Sequence, residues 1–160
     1  MRPQTSTAVD VVNFFVWSSL KEGINVDAIK VQRLLYFSFG YYGFYEHAKY
    51  LFFDAIHEWQ YVPVVPQVFS LLKQHVKDGG NFSRPLLYRE QKVALPKRMQ
   101  RILQYVWDRY KNNMLEIPRE NISWETPVGK ELHKPTILKL FSLSVPLLED
   151  YRELFVKLAK

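Results

Sequence analysis

The sequence predicts a mainly α fold: a single compact helical domain with a small β-hairpin or short two-stranded element. Three observations lead there. Apolar residues recur at helical spacing along most of the chain, residues 56–61 read as one short extended stretch, and Gly, Asn and Pro punctuate the periodic segments where helices should end. A length of 160 residues suits one domain spanning residues 1–160, long enough to bury a sizeable core.

Thr7 with Asp10 three positions later forms a variant capping box ahead of an apolar run over residues 11–20, and Gly23 stands where that helix should stop. Asn25 or Asp27 caps a second helix that turns Ile29, Leu34, Leu35, Phe37 and Tyr41 inward. Gly40 and Gly43 weaken its end, although small residues there also admit a close neighbour. Pro63 and Pro66 suit a turn leading into a helix over about residues 67–76, through Val68, Phe69, Leu71 and Leu72. Residues 78–81, Asp-Gly-Gly-Asn, mark a break, and residues 85–88 suit an edge strand pairing with the one near Trp59.

The helix opening at Pro96 is the best-defined element. Met99, Ile102, Leu103, Val106 and Tyr110 follow one buried face, and Lys97, Arg101, Gln104, Asp108 and Lys111 lie opposite. A short helix is expected over residues 125–132 and another from about Pro135, including Ile137, Leu138 and Phe141. The last helix is expected to start at Ser144, with Pro146 in its first turn, and to bury Leu147, Leu148, Tyr151, Leu154, Phe155 and Leu158.

Composition narrows the function classes. Zero cysteines exclude disulfides, thiolate metal sites and cysteine nucleophiles, and fit a reducing cytoplasm. No apolar run reaches the roughly 18 residues of a membrane span, and the polar first ten residues lack the apolar stretch of a signal peptide, so a cytoplasmic protein with no membrane partner is expected. The net charge of +6 is concentrated: residues 84–111 hold eight basic and two acidic residues, while the rest of the chain balances at 14 of each. Such a field favours an acidic partner, either a protein surface or nucleic-acid phosphate, and a plain solvated helix face is the competing explanation.

Catalysis finds little footing. His47, His57, His75 and His133 lack the spacing of a metal site, and no nucleophile elbow, phosphate-binding loop or dinucleotide glycine fingerprint occurs. Asp54 and Glu58 flank His57, but an extended segment puts His57 on the face opposite both acids. The expectation is a non-enzyme with no metal and no cofactor; Glu58 beside Trp59 is the residue an enzyme reading would need. Basic residues near Tyr88, Tyr105 and Tyr110 keep nucleic acid as an alternative partner, although helical tyrosines of this kind are more often core. Twelve of the 25 aromatics fall between residues 36 and 61; a crowded core explains most, while the hydroxyls of Tyr41, Tyr42 and Tyr45 need a polar partner or solvent, so some of these are expected to line a surface groove.

Two strings within this aromatic region carry a family resemblance. Lys30-Val31-Gln32-Arg33-Leu34-Leu35-Tyr36 is followed by Ile56-His57-Glu58-Trp59-Gln60-Tyr61-Val62-Pro63-Val64-Val65-Pro66. The pair resembles the Panacea domain, an antitoxin family that includes SocA-like and phage-associated proteins and shows a K-L-Q-K-L-L-Y-Y helix followed by A-W-x-Y-G-P-V-V-P. Lys30, Gln32, Leu34, Leu35 and Tyr36 match the first motif, and Trp59, Tyr61, Pro63, Val64, Val65 and Pro66 the second, with Phe52 near the family's Leu-Phe. Val62 replaces the family's glycine. The family's later T-H-x-E-x-P-W element has no ordered counterpart at residues 123–127, Ser-Trp-Glu-Thr-Pro.

The resemblance implies a mostly helical domain that neutralises a cognate toxin encoded beside it. It would do so by direct binding, or by delivering the toxin to a protease or its unfoldase. Under that expectation Lys30, Arg33, Trp59, Gln60 and Tyr61 form or support the recognition surface, and Lys97 and Arg101 of the positive helix add to it. The competing reading is that Trp59 and Tyr61 only pin the extended arm onto the second helix. A nucleic-acid-binding regulator and an uncharacterised enzyme are the alternative functions.

Overall fold

The computed structural model describes residues 7–59, 62–75, 95–112 and 129–160. In chain order these form α1 (Ala8–Glu22), α2 (Ala28–Tyr45), β1 (His57–Trp59), β2 (Val62–Val64), α3 (Pro66–His75), α4 (Lys97–Tyr110), α5 (Lys134–Ser144), a 3-10 turn (Val145–Leu147) and α6 (Tyr151–Leu158). The protein is mainly helical with one small antiparallel two-stranded sheet. Among the described residues no helix is long and apolar enough to cross a membrane.

The helix ends follow local chemistry. Thr7 Oγ1 accepts from the Asp10 backbone N–H at 3.2 Å, and the Thr7 N–H donates back to Asp10 Oδ2 at 3.1 Å, which completes the capping box of α1. Asp54, sequence-distant, accepts from the Ala8 N–H at 3.0 Å and satisfies a further open donor of the first turn. Gly23 closes α1 in the left-handed conformation at φ 68°, where a Cβ would be strained. Asp27, rather than Asn25, caps α2 by accepting from the Lys30 N–H at 2.8 Å.

α2 is the central helix and packs against α1, α4, α5 and β2. Its two glycines do not end it. A Cβ at Gly40 would run into the Phe141 ring, and one at Gly43 into the Leu138 side chain, so both glycines let α5 lie close on α2. On the α4 side Phe37 stacks on Tyr110 with ring centroids 4.2 Å apart. One continuous apolar cluster draws on all six helices, with Phe15, Phe39, Phe52, Leu34, Leu35 and Trp107 among its fully buried members.

Several expectations need correction, and two others fall outside the described residues. β1 pairs with β2, in the register His57 to Val64, Glu58 to Pro63 and Trp59 to Val62, so Pro63 lies in a strand and not in a turn. The expected strand at 85–88 and the break at 78–81 lie outside the described residues. Residues 129–132 are not helical: they run along the other edge of β1, with Glu58 N–H donating to Lys130 O, Gly129 N–H to Glu58 O and Leu132 N–H to Ile56 O, at 2.8, 2.8 and 2.7 Å. An open strand edge offers those partners, which a helix would leave unused. Gly129 suits the approach, since a Cβ there would sit 3.0 Å from Glu58 O.

The C-terminal helix is broken too: Val145–Leu147 forms a 3-10 turn and α6 begins only at Tyr151. Leu154 and Leu158 are buried, whereas Leu147 and Phe155 are exposed. Finally, Tyr41, as expected, and Tyr45 face inward, while Tyr36 and Tyr42 are half-buried. Tyr41 and Tyr45 are each 2 % exposed; Tyr41 shares a 2.7 Å hydrogen bond with the Tyr110 hydroxyl, and Tyr45 donates to Tyr151 O at 2.6 Å. Burial raises the pKa of both phenols, so they serve as neutral hydrogen-bonding members of the core.

Candidate functional site: a basic groove between two helices

The two motif strings meet in the fold. Gln32, 1 % exposed on α2, accepts through Oε1 from the Val65 backbone N–H at 3.0 Å, directly before α3 begins. This bond holds the proline-rich segment against α2 and satisfies a backbone donor sealed from water. The other end of the same amide, Nε2, is buried and has no hydrogen-bond partner among the described residues.

The candidate recognition residues separate into distinct groups. Trp59 is 4 % exposed and meets the Phe69 ring edge-on at 5.5 Å, so it pins the hairpin to α3. Its place is in the core, where it packs on α3. Gln60 and Tyr61 lie outside the described residues. Lys30 and Arg33 are half-buried on α2. Burial lowers the pKa of the Arg33 guanidinium, the nearby Asp27 charge opposing it, and Arg33 Nε is buried without a hydrogen bond among the described residues.

On α4 the basic residues divide by what they touch. Arg98 binds Glu46 Oε1 through Nη2 at 2.6 Å and Nε at 2.9 Å, and Leu158 O through Nη1 at 2.7 Å, tying α4 to the end of α2 and to α6. Arg109 pairs with Asp150 at 3.0 Å. Lys111, expected on the open face, pairs instead with Glu22 of α1 at 2.7 Å. Lys97 and Arg101 are exposed and make no ion pair among the described residues; Arg101 reaches only Lys157 O, at 3.5 Å.

These two cations border a groove. Trp17, Leu20 and Lys21 of α1 line one depression of about 690 Å³ with Gln104 of α4, and Phe14 lines a second of about 280 Å³ with Lys97, Arg101 and the same Gln104, so the two adjoin at that residue. Positions 14, 17, 18 and 21 form one helical stripe on α1, and 97, 101 and 104 one on α4. Leu20, 40 % exposed, extends the apolar lining. The acid in the lining, Glu22, is already matched: it accepts from Trp107 Nε1 at 2.6 Å as well as from Lys111. Lys30 and Arg33 do not border this groove.

Sequence reasoning found Lys97 and Arg101 but not their companions. Trp17 and Lys21 sit in and beside an apolar run that covers every face of α1, so periodicity alone does not single out their stripe. Among the described residues no group of three or more His, Asp or Glu is placed to hold a metal. Asp54 caps α1, and His57 bonds through Nδ1 to Gly129 O at 2.7 Å. Compared with family models, curated proteins and solved structures, the chain finds no match.

Proposed function

We propose that the protein is a toxin-neutralising antitoxin of the kind the Panacea-like strings imply, acting in the cytoplasm by binding a cognate toxin directly or by presenting it to a protease or its unfoldase. The observation that carries this reading is the Gln32–Val65 hydrogen bond. It joins the two strings into one structural unit, so the glutamine of the first and the valine-proline stretch of the second have a shared physical reason to occur together. Lys97 and Arg101, which make no ion pair among the described residues, supply a surface that an acidic protein partner can use.

Co-expression with the protein encoded next to it tests the reading. Toxicity of the neighbour alone, relieved by this chain, is the expected result; a neighbour harmless by itself removes the proposal's main prediction. Recovery of a stable purified complex identifies direct binding, whereas a shortened toxin half-life that depends on a cellular protease identifies delivery. The nucleic-acid reading predicts binding to random oligonucleotides that weakens steeply with salt.

A further inference from the structure

We infer that the α1–α4 groove is the docking site for an acidic amphipathic helix of the protein partner, a step that rests on the antitoxin reading and adds the surface and the chemistry it recognises. Charge is placed at both ends of the groove and apolar surface in between. Lys97 and Arg101 stand at one end, over the buried Phe14, and Lys21 at the other, where Trp17 and Leu20 supply the accessible apolar surface. The lining acid, Glu22, is held by Lys111 and Trp107, so it does not offset the positive ends.

The N-terminus of α4 strengthens the field at the Lys97 end. Among the described residues it has no side-chain cap and no acidic residue in its first turn, and of the two cations there Arg98 is held by Glu46 while Lys97 is left open. A free cation at a helix N-terminus opposes the macrodipole, an arrangement unfavourable for the isolated fold and favourable for an incoming carboxylate.

Trp17 points to the second requirement of the ligand. It is half-buried and makes neither a hydrogen bond nor a ring contact with any described residue, whereas Trp59 and Trp107 are both engaged in the interior. A large indole left open beside leucine and phenylalanine matches the composition of an interface anchor. A groove between two helix ridges fits a third helix that inserts apolar residues at three- and four-residue spacing. A nucleic-acid strand fits poorly, because its charge repeats at every nucleotide, while the middle of this groove is apolar.

The test uses two fluorescent peptides of about four helical turns with the same leucine-rich face, one flanked by glutamates and one by lysines, and a single-stranded oligonucleotide of similar length. The acidic peptide is expected to bind the whole chain about tenfold or more tightly than the basic one. Lys97→Glu with Arg101→Glu should cost about tenfold, Trp17→Ala a similar factor, and Lys139→Glu on α5 nothing measurable. Tighter binding of the oligonucleotide, equal affinity for the two peptides, or affinity unchanged in the Lys97/Arg101 double variant each overturns the inference.

The same variants in the co-expression assay separate the two levels. If the wild-type chain rescues growth and a folded Lys97→Glu/Arg101→Glu variant does not, the groove is the interface. If both rescue equally, the groove assignment fails while neutralisation stands. If the wild-type chain fails to rescue, the antitoxin reading falls, and with it the partner assigned here; peptide affinity then reports only the chemistry of the groove.

Discussion

Gln32 is the residue whose chemistry is least replaceable. Its Oε1 is the acceptor for a backbone N–H that water cannot reach. Gln32→Leu keeps the volume but orphans that donor, and removal of the unsatisfied Nε2 recovers only part of the loss. The expected net destabilisation is about 1–2 kcal/mol, read as a lower urea midpoint at unchanged slope. Gly40 offers a contrast in which two effects compete. An alanine would gain about 1 kcal/mol of helix propensity, but its methyl would overlap the Phe141 ring. Phe141 is itself buried and cannot swing away, so overpacking at a cost of about 1–3 kcal/mol should win. Gly40→Ala should therefore lower the melting temperature. The sequence marked Gly40 as a weak point or a contact point, and only the position of α5 decides between them.

At the scale of elements, α1 and α4 are joined by a three-residue knot in which Trp107 and Lys111 both donate to Glu22. Lys111 first and Trp107 next lower the Glu22 pKa, and Glu22 in turn raises that of Lys111. A depressed carboxylate contributes stability above its unfolded pKa of about 4.3 and loses it as pH falls through the lower folded value. The raised lysine contributes below about 10.4 and loses its share as pH rises through the higher folded value. Stability should therefore decline on the acid side, and Glu22→Gln should flatten that acid limb in pH-dependent urea titrations. An unchanged limb would show that the knot is not coupled to folding.

The caps at Thr7, Gly23 and Asp27 were readable locally, because each bonds within three or four residues. Trp107 was not: its ring and its N–H are satisfied by Phe15 and Glu22 of α1, far away in the chain. The same reason explains residues 129–132, whose extended form depends on the open edge of β1 and not on their own propensity.

For the whole molecule, the decisive quantity is which charges remain unspent. Arg98, Arg109 and Lys111 hold elements together, whereas Lys97 and Arg101 do not. Reversing the latter pair should move the melting temperature by only about 1–2 °C, while Arg98→Met, which releases both Glu46 and the end of α6, should lower it by several times that amount. Equal effects from both variants would mean that the groove cations are structural. The sequence by itself determined the helical class, the capped start of α1, the buried stripe of α4 and the concentration of positive charge, and narrowed the cap of α2 to two residues, because short-range hydrogen bonds and periodicity are written into neighbouring residues. Tertiary structure alone decided that Trp59 belongs to the core, that Trp17 faces a groove, and that two cations of the positive segment are left without a described ion pair. Burial and ion pairing depend on what a distant element brings alongside, and no local pattern encodes that.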